Sequence, residues 1–124
     1  WGFAETKEEY IQLLKSADIL PITSNQDFFG ISIAEAIASG AYPLLPNRLS
    51  FPELVLNKSC FYDSDEEFYH HLKELIIHET DELINEKLKD HILSFDWEFM
   101  IYEYDNCFSN LLTFFGNKLD KKHF

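Results

Sequence analysis

From Asp18 to Pro46 the chain is written as strand, loop, helix and strand, and that order leaves few folds open. Asp18-Ile-Leu-Pro-Ile-Thr23 is an apolar run of strand length, with Pro21 marking its end or an exposed edge. A loop holding Asp27 follows, and then a helix predicted from about Gly30 to Ser39, with Gly40 as its natural stop. Ala41-Tyr-Pro-Leu-Leu-Pro46 reads as a second buried strand bounded by proline. Strands joined by a helical crossover run parallel, so ligand-binding loops are expected at their carboxyl ends.

The flanks fit the same plan. Thr6 and Glu9 have the spacing of a capping box, and Tyr10, Leu13, Leu14 and Ala17 follow on one helical face. After the polar loop Asn47-Arg-Leu-Ser50, Phe51–Leu56 predicts one or two helical turns and Cys60–Tyr62 a final short strand. Ser64 and Glu67 cap a helix whose buried stripe is Phe68, Leu72, Leu75 and Ile76. A further helix near Thr80–His91 carries Leu83, Leu88 and Ile92. Asp96 caps the last one, in which Ile101, Tyr104, Phe108, Leu111, Leu112 and Phe115 keep helical spacing until Gly116 ends it. The aromatics Trp97, Phe99, Tyr102, Tyr104, Phe108, Phe114 and Phe115 are expected to be core packing, because no basic residues interleave them as a base-stacking surface requires. The expectation is an α/β fold with a Rossmann-like three-layer parallel sheet and a helical C-terminal region. Residues 1–124 would form one domain.

Composition narrows the function. The net charge of −12, with ten Lys and Arg against twenty-two acids, argues against direct binding of nucleic acid by this segment. A hydrophobic content of 46% and twelve Phe argue against disorder. No apolar run approaches the roughly 20 residues that cross a bilayer, so no membrane partner is expected. The chain opens Trp-Gly-Phe-Ala-Glu, with neither an initiating Met nor the basic start and apolar core of a signal peptide. It is therefore expected to be cytoplasmic and a piece of something longer. Cys60 and Cys107 are expected to be reduced, core-facing thiols. His71, Glu74 and His78 share a helical face, but no further ligand accompanies them; a solvated stripe is expected there and no metal site.

The chemistry gathers in Ser24–Gly40, where Asp27 and Glu35 stand eight positions apart. Gly30 lets the backbone turn closely, and Glu35 rides an apolar, alanine-rich helix. Carboxylates accept hydrogen bonds from vicinal hydroxyls, while free N–H groups at a helix start favour an anion. The pattern suits a ligand with sugar hydroxyls at one end and phosphates at the other.

Gln26-Asp-Phe-Phe-Gly-Ile-Ser-Ile-Ala-Glu-Ala-Ile-Ala-Ser-Gly40 resembles the nucleotide-sugar signature of the retaining GT-B glycosyltransferases, two acids separated by seven residues and then Ala and Gly before the next strand. Phe28-Phe-Gly, Glu35-Ala, Tyr42-Pro-Leu, Pro46, Leu49 and Pro52-Glu53 are similar to a narrower branch, which includes tRNA-queuosine α-mannosyltransferases. The Trp97…Tyr104-Asp105…Phe108 ending fits that branch too. The resemblance implies most of the C-terminal, donor-binding half of a two-domain enzyme, with the N-terminal acceptor domain outside these residues. It implies a nucleoside-diphosphate sugar as donor, GDP-mannose in the narrower branch, and no resident cofactor. Queuosine-tRNA would be reached only through the acceptor domain. Glu35 would hold the ribose hydroxyls and Asp27 those of the transferred sugar. Backbone N–H groups of Phe29, Gly30 and Ile31 would face the sugar or diphosphate, with Glu53 at the rim.

Two features depart from that family. The first acid is Asp27 where Glu is usual, and the family's diphosphate-gripping basic pair would lie before Trp1. Arg48, the only arginine, is not at a matching position. The expectation is that this segment alone is inactive. The rival reading is a non-catalytic Rossmann-like interaction module, either a degenerate glycosyltransferase or a receiver-like domain. A receiver needs an Asp at a strand end, whereas Asp18 begins its strand.

Overall fold

In a computed structural model, residues 3–26, 30–78 and 82–120 are described, with backbone alone at 82–83 and 115–120. The chain divides into two compact units, Trp1–Leu93 and Ser94–Phe124, a division the sequence reading did not draw.

The first unit is built on a parallel three-stranded sheet in the order β1 (Ile19–Pro21), β2 (Tyr42–Pro46), β3 (Phe61–Tyr62). It is an α/β arrangement consistent with a Rossmann-like fold. Around the strands lie α1 (Lys7–Lys15), α2 (Ile31–Ala38), the single turn α3 (Phe51–Leu54), a 3₁₀ turn at Lys58–Cys60, α4 (Asp65–Ile77) and α5 (Glu82–Leu93).

The central strand β2 is buried at all five positions although it contains two prolines. Proline lacks the N–H that a sheet ladder uses. Register explains the tolerance. The Tyr42 N–H donates to the Asp18 carbonyl and the Leu44 carbonyl accepts from Ile22, so even-numbered residues of β2 face β1. Odd-numbered ones face β3, where the Asn47 N–H donates to the Tyr62 carbonyl. β3 pairs only from Leu45 onward, so Pro43 faces it below its start. Pro46 faces β1 beyond the last pair, Pro21↔Leu44. Each missing donor falls where no strand pairs. Pro21 points away from β2, as its reading as an edge marker requires.

Both capping boxes form, displaced by one residue. Glu9 N–H donates to the Thr6 hydroxyl at 3.1 Å, and the Glu9 carboxylate reaches back to the N–H of Glu5 at 2.8 Å. On α4, Glu67 N–H donates to the Ser64 hydroxyl at 3.2 Å and its carboxylate accepts from Asp63 N–H at 2.8 Å. Ordinary N-caps are worth about 1 kcal/mol each. The core joins Ile33 and Ile37 of α2, Leu45 of β2, Phe51, Val55 and Cys60 to Leu88 and Ile92 of α5.

Four expectations are corrected. Ile76 of α4 is 69% exposed; it sits one residue past half-buried Leu75, about 100° further round the helix. Gly116 does not end the last helix, since α6 runs Trp97–Asp120. One interior glycine costs only about 1 kcal/mol, too little to break so long a helix. Within this second unit the aromatic stripe is not core, and Trp97, Phe99, Tyr102, Tyr104, Phe108 and Phe114 are all exposed. Phe115 lies outside the described side chains. Periodicity shows that a face is apolar, not what covers it. Cys107 is likewise exposed on α6, whereas Cys60 is buried as expected. Asp96 does cap α6, accepting from Glu98 N–H at 3.0 Å. Among the described residues no helix is long and apolar enough to cross a membrane.

Burial pushes the Tyr42 hydroxyl from its ordinary 10.0 up to about 12, with a hydrogen bond to Ser59 at 3.0 Å partly opposing the rise. Burial also raises the Cys60 thiol above 9.0. Both groups are neutral below their unfolded values and must stay neutral in the core. The stability they confer is therefore complete below about pH 9 and lost as pH climbs toward 12. Tyr42→Phe should lower stability at pH 7 by about 1 kcal/mol and flatten the alkaline limb. Urea midpoints between pH 7 and 12 would test this, and an unchanged alkaline slope would mean Tyr42 titrates normally.

Candidate functional site

All three strands end on one rim, and a cleft of about 290 Å³ opens there. Thr23 and Asn25 follow β1, Asn47 and Arg48 follow β2, and Tyr62 and Asp63 close β3. This is the carboxyl-end position at which parallel sheets bind ligands. The cleft is held from several sides. Tyr62 donates to the Ile22 carbonyl at 2.7 Å and packs its ring 4.9 Å from that of Phe68. The Asn47 side-chain amide donates to the Asp63 carboxylate at 3.0 Å, and the Arg48 guanidinium to the Ser24 carbonyl at 3.4 Å. Leu49 holds φ 58°, a left-handed conformation costing a residue with a Cβ about 1–2 kcal/mol. That strain sits in the turn presenting Arg48, where the Arg48 N–H donates to the Pro46 carbonyl at 2.8 Å.

The expected site residues divide between this rim and its surroundings. Asp27 and Phe29 lie outside the described residues. Gly30 is buried at the N-terminus of α2 with φ 64°, and Ile31 beside it is 66% exposed. Glu53 lies in the first turn of α3, exposed. The two segments touch: a Cβ added to Gly30 would come 2.8 Å from Leu54 Cδ2. So Gly30, Ile31 and Glu53 belong to one end of the sheet. Glu35 does not line the cleft. Its Oε2 accepts from the Tyr10 hydroxyl of α1 at 2.7 Å, which ties α1 to α2. That bond is also the main reason the Tyr10 hydroxyl is raised above 10.0. A carboxylate has lone pairs beyond this one, so Glu35 keeps acceptor capacity on its exposed side. His78 sits 3.4 Å from Glu74, both exposed, on the stripe that includes His71. Among the described residues no three His, Cys, Asp or Glu gather as metal ligands.

Sequence reasoning missed Asn25, Asn47, Tyr62 and Asp63 as cleft residues. One signal was available: each lies at or just past the carboxyl end of a strand that the sequence does show. Tyr10 was placed on a helical face and not as the partner of Glu35; a contact across 25 positions leaves no local mark.

Over 59 residues, 48% of this chain, the sequence is 36% identical to the tRNA-queuosine alpha-mannosyltransferase of Drosophila melanogaster. The matched stretch is 16% of the fly protein. No protein-family model and no solved structure matches the chain. The likeness is to a glycosyltransferase and covers part of each chain.

Gly30→Ala tests how tightly α2 is seated against α3. The left-handed φ alone should cost about 1–2 kcal/mol, and the new methyl must push Leu54 aside. A double-mutant cycle with Leu54→Ala should recover at least about 0.5 kcal/mol. Strict additivity in denaturant titrations would show that the methyl fits without touching Leu54.

Proposed function

We propose that this chain is the donor-binding part of a retaining glycosyltransferase of the GT-B type. The observation that carries the reading is the 59-residue likeness to a fly α-mannosyltransferase. The polar cleft at the carboxyl ends of parallel strands supports it, because that rim can meet both hydroxyls and an anion. The donor is a nucleoside-diphosphate sugar, with mannose by analogy with the fly protein's name and GDP by the narrower resemblance, and the acceptor is queuosine-tRNA. Because these residues are strongly acidic, the tRNA is held by the acceptor domain. The enzyme works in the cytoplasm.

In this reading Asp27 takes hydroxyls of the transferred sugar and Glu35 those of the ribose. The backbone at Phe29, Gly30 and Ile31 faces the sugar or diphosphate, and Glu53 stands at the rim. No protein nucleophile is required. The leaving diphosphate assists deprotonation of the acceptor, and the chain's residues position the donor and stabilise leaving-group charge.

The Tyr10–Glu35 bond favours a second reading, in which Glu35 is a structural tie and the domain has kept the fold without the chemistry. Two substitutions in the full-length protein separate these readings. If Glu35 binds donor, Glu35→Ala lowers kcat/KM by about 10- to 100-fold, while Tyr10→Phe, which keeps the carboxylate, has a much smaller effect. If Glu35 is only a tie, both cost alike in stability and neither affects transfer selectively. Transfer is measured from GDP-mannose and UDP-glucose to bulk tRNA and free sugars, with products read by mass spectrometry. The isolated segment should transfer nothing.

A further inference from the structure

Among the described residues Arg48 is the only basic one lining the cleft, and it is the only arginine in the chain. Its guanidinium spends one contact on the Ser24 carbonyl, and among the described residues no carboxylate forms an ion pair with it. The nearby acids are placed differently. Asp63 accepts from the Asn47 amide, and Asp65 lies in the first turn of α4, where the helix dipole offsets its charge. Both kinds of charge reach the middle of the cleft: burial raises the Tyr62 hydroxyl, Arg48 partly opposes that rise and Asp65 adds to it. The cleft thus carries both signs of charge, with a forked cation after β2 and two carboxylates after β3.

We propose that Arg48 grips a phosphate of the donor and thereby turns toward Asp63 and Asp65 those donor hydroxyls that Asp27 and Glu35 leave unbound. This inference rests on the donor-binding reading above. A guanidinium matches phosphate geometry with parallel N–H donors, and its strained turn holds it on the rim before any ligand arrives. A bare anion fits less well, since two carboxylates oppose one cation. Hydroxyl donors on the same molecule turn those carboxylates from a repulsion into acceptors. The ligand class selected is a phosphate ester rich in hydroxyls, and inorganic pyrophosphate should bind more weakly than a nucleoside diphosphate.

The test is calorimetric titration of the full-length protein with GDP, UDP, GDP-mannose, UDP-glucose and pyrophosphate, using wild type, R48K and R48Q. Circular dichroism and thermal unfolding would confirm that the variants fold. R48Q should weaken the preferred nucleotide at least about tenfold and reduce the salt dependence of its binding, while R48K recovers part of the loss. Pyrophosphate should be the weakest ligand for wild type. If R48Q binds the nucleotide as wild type does, the Arg48 assignment is wrong and the donor reading stands. If folded wild type binds none of the nucleotides, both fall together.

Discussion

The structure depends on placing β2 in the interior although two of its five residues cannot donate to a sheet. Burial on both faces requires an apolar run, and Tyr-Pro-Leu-Leu-Pro supplies one. Pairing requires donors, and the prolines withhold them at two places. The solution is a staggered sheet in which β1 pairs with the first part of β2 and β3 with the last. The stagger has a consequence at the carboxyl rim. Beyond Leu44 the β1 side of β2 is unpaired, so the chain after β1 is free to turn away as a loop, Thr23 to Asn25. The cleft opens between that loop and the β2 and β3 ends. A sheet paired along its whole length would fill this space with backbone.

Much of this fold was legible because local signals and burial agreed. Thr6 and Ser64 announced helix starts by side-chain chemistry that acts within four residues. Gly30 and Gly40 marked the ends of α2 because their positive φ values, 64° and 108°, suit glycine. The failures share a cause as well. Ile76, Cys107 and the α6 aromatics lie on helices whose periodicity is real, yet exposure depends on what packs against a face. Sequence spacing carries no information about the partner. Gly116 misled for the opposite reason: a weak local signal was given the weight of a cap.

The candidate site was legible in location and only partly in membership. Strand order fixed the rim, and the resemblance supplied Gly30, Ile31 and Glu53, whose segments the fold gathers at that end through the Gly30–Leu54 approach. The contacts of Asn47, Tyr62 and Asp63 became visible only once β3 was laid beside β2, because their hydrogen bonds join segments some fifteen to forty positions apart. Arg48 stood out in composition as the only arginine, but its neighbours decide its meaning.

Glu35 shows why position in a signature and role in a structure are separate questions. A carboxylate on α2 can tie that helix to α1 by accepting from Tyr10 and still offer its remaining lone pairs to a ligand. The two roles are mutually supportive: a tyrosine that fixes one oxygen limits the rotamers of the other, lowering the entropy a ligand must overcome to use it. The same logic applies at Arg48, whose contact with the Ser24 carbonyl orients the guanidinium while leaving donors for an anion. In both places a side chain makes one bond within the protein and keeps capacity for another. Under the proposed donor-binding role, such contacts would preorganise the site, because orientation is established by the fold before a ligand binds.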